Sequence, residues 1–219
     1  MLLQGKVVIV SGIGPGLGQE LALEAAKQGA SVAMCARTQS KLDDAEAAIA
    51  ELGLGTQVLK IATDISDRNQ CATLVEQTIS RFGRIDVLFN SAYNPGEFGP
   101  IESANLDSWR AAMDVNLFGT MALTLETIPQ MKKQGGGAIV MINTMVTRKP
   151  LHTQGGYGAS KAALASATSH LALELGAYNI RVNSAYMGWM WGPAVEGYLQ
   201  MNADAGGPSV EQQVAAVSK

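Results

Sequence analysis

The chain has 219 residues, 47% hydrophobic and 16% charged, with a net charge of −3. That balance suits one globular α/β domain and argues against disorder. No Lys/Arg block marks a nucleic-acid or anionic-membrane partner, and no run approaches the ~18 apolar residues of a spanning helix.

The N-terminus runs from Met1 into the short apolar stretch Val7 to Val10, without a signal h-region or cleavage site. A cytoplasmic location is therefore expected. The only cysteines, Cys35 and Cys71, are isolated and read as free thiols in a reducing compartment.

Val7 to Val10 has the continuous apolar character of a strand buried on both faces. A glycine-rich turn and a helix with Leu17, Leu21 and Ala25 on one side follow. Ala30 to Ala36 reads as the second strand. The next helix starts near Ser40, its expected N-cap, and ends at Gly53 and Gly55. Val58 to Ala62 is the third strand, Cys71 to Phe82 a helix closed by Gly83, and Ile85 to Asn90 the fourth strand. A loop over 93–100 leads into one long helix over 106–131. Ala138 to Asn143, a helix over Tyr157 to Leu175 with Gly176 as its C-cap, and Ile180 to Tyr186 complete six strands.

Strands alternating with helices imply βαβ units. The expected fold is a Rossmann-like, doubly wound parallel sheet in three α/β/α layers, forming one domain over 1–219. Ligands of such sheets bind beyond the carboxyl ends of the strands.

Ser11-Gly12-Ile13-Gly14-Pro15-Gly16-Leu17-Gly18 lies after the first strand and opens the first helix. Glycines there let the backbone approach a pyrophosphate, and the helix N-terminus offers free N–H groups. The second strand ends at Arg37 with no carboxylate nearby in sequence. A guanidinium suits the 2′-phosphate of NADP, so NADP(H) is expected over NAD(H).

Tyr157 and Lys161 stand four residues apart on one helical face. A nearby ammonium favours a phenolate, which suits Tyr157 to acid/base work on a carbonyl/alcohol pair. With the glycine loop, Asp64-Ile65, Asn90-Ser91-Ala92, Asn116, Thr144 and Ile180-Arg181-Val182-Asn183, this pair makes the chain resemble the short-chain dehydrogenase/reductase family. The resemblance spans almost the whole chain. It implies an NAD(P)-dependent alcohol dehydrogenase or carbonyl reductase. Tyr157 would be the general acid/base, with Lys161 lowering its pKa, Thr144 holding the substrate oxygen and Asn116 holding a water. It also implies cofactor contacts from Ser11, Gly12, Gly14, Gly16, Leu17, Gly18, Asp64, Ile65, Asn90, Ala92, Gly188 and Met190. No metal is implied: His152 and His170 lack a ligand spacing. His170 is expected on a helix surface, and His152 precedes Tyr157 in a loop near the cleft.

Several positions depart from the family pattern. Thr144 replaces Ser, Ser91 and Tyr93 alter the fourth-strand motif, and Met187 stands in place of Pro. Gly192 occupies a position where the family often has Thr. Trp189, Met190, Trp191 and Tyr198 fall in an expected substrate lid over about 187–210, pointing to a hydrophobic or ring-containing small molecule. The family's seventh strand is missing, and a tail beyond Lys219 is suspected. A homo-oligomer, dimer or tetramer, is the expected assembly. A non-catalytic nucleotide-binding or scaffold protein on the same fold is the alternative reading.

Overall fold

A computed structural model describes residues 1–217; Ser218 and Lys219, where the chain was read as ending, lie outside the described residues. In chain order the elements are β1 (Val7–Ser11), α1 (Leu17–Lys27), β2 (Ser31–Ala36), α2 (Gln39–Glu51), β3 (Val58–Ala62), α3 (Arg68–Phe82) and β4 (Val87–Asn90). There follow α4 (Leu106–Met113), a π-helical segment (Asp114–Gly119), α5 (Thr120–Lys133), β5 (Gly137–Thr144), α6 (Gly155–Leu175), β6 (Ile180–Met187), α7 (Pro193–Asp204) and α8 (Val210–Val217).

The six strands form one parallel sheet in the order β3-β2-β1-β4-β5-β6. Every residue of β1 is buried, as a strand covered on both faces requires. Alternation along the strands divides the core in two. Val8, Val10, Val32 and Met34 pack with Ala22, Leu42 and Ile49 on one face. Ile9, Leu88, Ile139 and Met141 pack with Leu74, Leu123 and Leu164 on the other. The strand order reverses between β1 and β4, which places the switch-point crevice beyond their carboxyl ends.

Several boundaries differ from the sequence expectation. Helix α2 begins at Gln39 with Thr38 as its cap residue, so Ser40 is inside the helix. Helix α3 begins at Arg68, because the Asp67 carboxylate accepts from Asn69 N at 2.9 Å and Gln70 N at 3.4 Å. The expected helix over 106–131 is divided by the π-helical segment, where Thr120 Oγ1 donates to Val115 O, five residues back, at 3.3 Å. Gly176 is the C-cap of α6, as expected, though right-handed; it starts a short turn whose left-handed residue is Asn179, φ 57°. Beyond β6, the sheet's edge, the described residues form α7 and α8 rather than a seventh strand.

Candidate active site

The glycine turn is tied to the end of β2. Gly12 N and Ile13 N both donate to Cys35 O, at 2.9 and 3.1 Å. A Cβ on Gly12, whose φ is 80°, would collide with the Ala92 backbone, and one on Gly18 with Gly12 O. The first and last glycines are thus demanded by close packing of the chain on itself. The middle pair is different. A Cβ on Gly16 would meet nothing within 4 Å, and one on Gly14 only the Lys41 side chain, 3.8 Å away. They border open space in front of the α1 N-terminus, where an anionic group can meet unpaired N–H groups.

That space belongs to a cleft of about 700 Å³ running along the carboxyl ends of the strands. Gly12, Gly14, Gly16, Leu17 and Gly18 form its floor at one end. Arg37 lines it, exposed and with no ion pair among the described residues. Lys41, in the first turn of α2, lines the same cleft. Sequence reasoning missed Lys41: Arg37 lies before the cap residue Thr38, outside α2, so no helical spacing links the two and only the fold brings Lys41 to this end. Asp64 and Ile65 line the same end, with Asp64 Oδ1 accepting from Ser66 N and Oγ at 3.0 and 2.7 Å.

Two expected contacts stand behind the cleft wall. Ser11 Oγ accepts from Ser91 N at 3.3 Å and Ala92 N at 3.5 Å, joining β1 to the loop after β4. Asn90 is 1% exposed, and its Nδ2 donates to Thr124 Oγ1 at 3.0 Å. Both set the shape of the wall that Ala92 and Tyr93 present.

Thr144, at the end of β5, and Tyr157 and Lys161, on α6, meet at the cleft's centre. Burial pushes the Tyr157 phenol up to about 12, the Thr144 hydroxyl acts in the lowering direction, and Tyr93 adds to the rise. The Tyr93 ring lies edge-on to it, centroids 6.4 Å apart. Burial takes the Lys161 ammonium down to about 8. The expected lowering of Tyr157 by Lys161 is not realised: Lys161 Nζ donates to Ile142 O at 2.7 Å, and desolvation of the phenol dominates.

Asn116 sits in the π-helical segment and is fully buried. Its Oδ1 accepts from Asn94 N at 2.7 Å, and its Nδ2 donates to Asn94 O at 2.8 Å and Ser160 Oγ at 2.9 Å. Ser160 Oγ in turn donates to Tyr157 O at 2.8 Å. The amide therefore reaches Tyr157 through Ser160 and does not line the cleft. A π-bulge at such a site is a frequent way to turn one side chain inward.

At the far end Gly188 and Met190 line the cleft, and Trp189 stacks on Tyr198 at 5.8 Å and 27°. Phe98, from the loop after β4, meets Tyr198 edge-on at 6.0 Å. His152 and His170 are exposed and outside the cleft; Gln154 is the loop residue that lines it. Among the described residues no His/Cys/Asp/Glu group could hold a metal.

The description of a known family matches this layout. A family model described as short chain dehydrogenase matches residues 6–201. Levodione reductase of Leifsonia aquatica is 32% identical over 195 residues, spanning 89% of this chain and 73% of that protein. The 7alpha-hydroxysteroid dehydrogenase of Escherichia coli K12 is 31% identical over 213 residues, spanning 97% of this chain and 79% of its own. The crystal structure of an NAD+-bound xylitol dehydrogenase superposes with a TM-score of 0.88 at 30% identity, covering 94% of this chain and 79% of that one. A glycine turn opening α1, a cleft at the strand-order reversal and a match over nearly the whole sheet lead to one conclusion: this chain belongs to the short-chain dehydrogenase family of oxidoreductases.

Proposed function

We propose that the protein is an NADP(H)-dependent oxidoreductase interconverting a carbonyl and a secondary alcohol, with Tyr157 as proton donor and acceptor. The observation that carries this reading is the continuity of one cleft. It joins the open space at Gly14 and Gly16, two cations at Arg37 and Lys41, and the Thr144, Tyr157 and Lys161 groups. The residues fit a dinucleotide: the glycine turn would take its diphosphate and Arg37 with Lys41 a 2′-phosphate. Bound there, the cofactor supplies or accepts the hydride.

The chain's own residues handle the oxygen and the proton. The Thr144 hydroxyl hydrogen-bonds the substrate oxygen. Tyr157 gives its phenolic proton to that oxygen in reduction and takes one back in oxidation, so that carbonyl, hydride and proton together make the alcohol. Lys161 supplies a charge close to the ribose side of the site, and Asn116 with Ser160 holds the helix start that carries Tyr157. The same reading covers a cytoplasmic enzyme acting on a small, apolar substrate as a homo-oligomer, without nucleic-acid or membrane partners. No helix among the described residues is long and apolar enough to cross a membrane.

The test is NADPH oxidation followed by absorbance across a panel of cyclic ketones. Tyr157→Phe is expected to lose about 10²–10⁴-fold in rate while still binding NADPH. Arg37→Asp is expected to weaken NADPH by about tenfold or more, as loss of a charge-assisted contact does, and to spare NADH. NADPH binding without turnover of any ketone would favour the non-catalytic alternative, and unchanged affinities in Arg37→Asp would remove the 2′-phosphate assignment.

A further inference from the structure

Among the described residues two that are not glycine have a left-handed backbone, Thr153 at φ 67° and Asn179 at φ 57°. Asn adopts this conformation at little cost, because its short amide bonds locally. Thr does not. Its branched Cβ crowds the carbonyl oxygen that follows, which makes a left-handed Thr a genuine outlier. Such a conformation persists only where the surroundings over-determine it.

Gln154 N donates to Leu151 O at 3.4 Å, closing a turn with Thr153 at its third position. Turns with a left-handed third residue favour Gly or Asn there. Thr153 is exposed, so packing of its side chain does not explain the residue, and its hydroxyl donates only to the adjacent His152 O, at 2.6 Å. The bond that leaves the turn is made by the backbone: Thr153 O accepts from Gly99 N at 3.0 Å.

That bond holds the loop over 93–100, which has no helix or strand of its own and lines the cleft with Tyr93, Pro95 and Phe98. Earlier in the loop Asn94 N donates to Asn116 Oδ1 at 2.7 Å and Glu97 N to Ser108 Oγ at 2.7 Å. The Gly99–Thr153 bond is the anchor next to Phe98, whose ring meets Tyr198 of α7 edge-on at 6.0 Å.

We propose that Thr153 is a positioning residue: its strained, left-handed backbone ties the wall loop to the turn before α6 and so fixes the Phe98 wall of the cleft. It acts through Gly99 and Phe98. Its effect on substrate binding rests on the oxidoreductase reading above.

Three variants separate backbone from side chain. Thr153→Asn tolerates the left-handed conformation. Thr153→Pro locks φ near −65° and removes no donor, since Thr153 N donates no hydrogen bond among the described residues. Gly99→Pro removes the same anchor from its other partner, and a Cβ there meets nothing within 4 Å. Each protein carries 3-fluorotyrosine at its five tyrosines. The fluorine resonance of Tyr198, assigned with Tyr198→Phe, reports the position of the Phe98 ring. KM and kcat are measured with NADPH and 4-phenylcyclohexanone, and thermal unfolding is followed for each variant.

Thr153→Asn is expected to melt roughly 2–4 °C higher than the wild type, as strain is relieved, and to keep its Tyr198 resonance and KM. The proline variants are expected to displace the resonance and to raise KM roughly three- to tenfold, the scale of one aromatic contact, with kcat and NADPH affinity changing far less. A wild-type resonance and KM in either proline variant that folds overturns the proposal. An unchanged or lower melting temperature in Thr153→Asn also overturns it, because the turn is then unstrained. No turnover by any of the proteins, wild type included, removes the oxidoreductase reading instead, and the resonances and melting temperatures then decide the role of Thr153 by themselves.

Discussion

Lys161 is 2% exposed, and its Nζ donates to the Ile142 carbonyl at 2.7 Å. Burial lowers its pKa from 10.5 to about 8 in the folded chain, so the folded state releases the proton more readily than the unfolded one. The group's contribution to stability is then present above pH 10.5 and lost as pH falls toward 8. That gap corresponds to about 3 kcal/mol. Lys161→Met removes the titration. Relative to this variant, the wild type is expected to gain about 3 kcal/mol between about pH 7 and about pH 10.5, read by urea unfolding at several pH values. A pH-independent difference would mean that Lys161 is solvated in the folded protein. Tyr157 acts in the opposite sense: raised from 10.0 to about 12, it contributes stability below pH 10 that is lost as pH rises through 12. Because Tyr157 is present in both proteins, its contribution cancels in the comparison. At this scale the sequence showed which groups meet, but not their burial, and burial decides the direction of both shifts. The cysteines illustrate the same point. Both are free and buried, as their isolation implied, and desolvation pushes Cys35 up to about 12 and Cys71 to about 11, leaving inert thiols.

Helix α6 begins with Gly155 and Gly156 pressed against α4. A Cβ on Gly156 would lie 2.6 Å from Trp109 Cδ1, and one on Gly155 3.0 Å from Ile101 Cδ1. This contact sets the start of the helix that carries Tyr157. Gly156→Ala is expected to overpack it, destabilising the fold by about 1–3 kcal/mol and lowering kcat more than NADPH affinity. Paired unfolding and kinetic measurements check this, and Trp109→Phe in the same chain should recover part of both losses. Wild-type stability and kcat in Gly156→Ala would show that Trp109 moves freely. The π-helical segment is a second element-level device. Gly119 lets the segment approach Ile65, whose backbone oxygen would lie 2.9 Å from an added Cβ. Asp114 to Gly119 holds only one strong helix former, Leu117, but neither a Pro nor a turn pair, so sequence periodicity read straight through it. The extra residue in the turn comes from tertiary contacts that no local pattern encodes.

Across the whole molecule, α6 presents Ser166, Ser169, His170 and Glu174 to solvent, with one large apolar side chain among them. Leu173 on α6 is 81% exposed, and Phe118 and Leu125, seven residues apart along the π segment and α5, are 62% and 46% exposed. These surfaces are the interface expected of a homo-oligomer. Sedimentation is expected to show a dimer or tetramer for the wild type, and a smaller species for Phe118→Glu combined with Leu125→Glu, with the far-ultraviolet spectrum retained. A wild-type monomer at micromolar concentration would refute that assembly.

The sequence by itself determined the parallel α/β fold, six strands, the glycine turn and the Tyr157, Lys161 and Thr144 set. Strand runs, turn glycines and helical spacing are local signals that survive in one dimension. The tertiary structure decided what those signals do together. It directed Asn116 to Ser160 and Asn94 rather than into the cleft, and it brought Lys41 to the cleft end that Arg37 lines. Each depends on which segments the fold packs against one another and on what that packing removes from water, and neither is written in the spacing of residues along the chain.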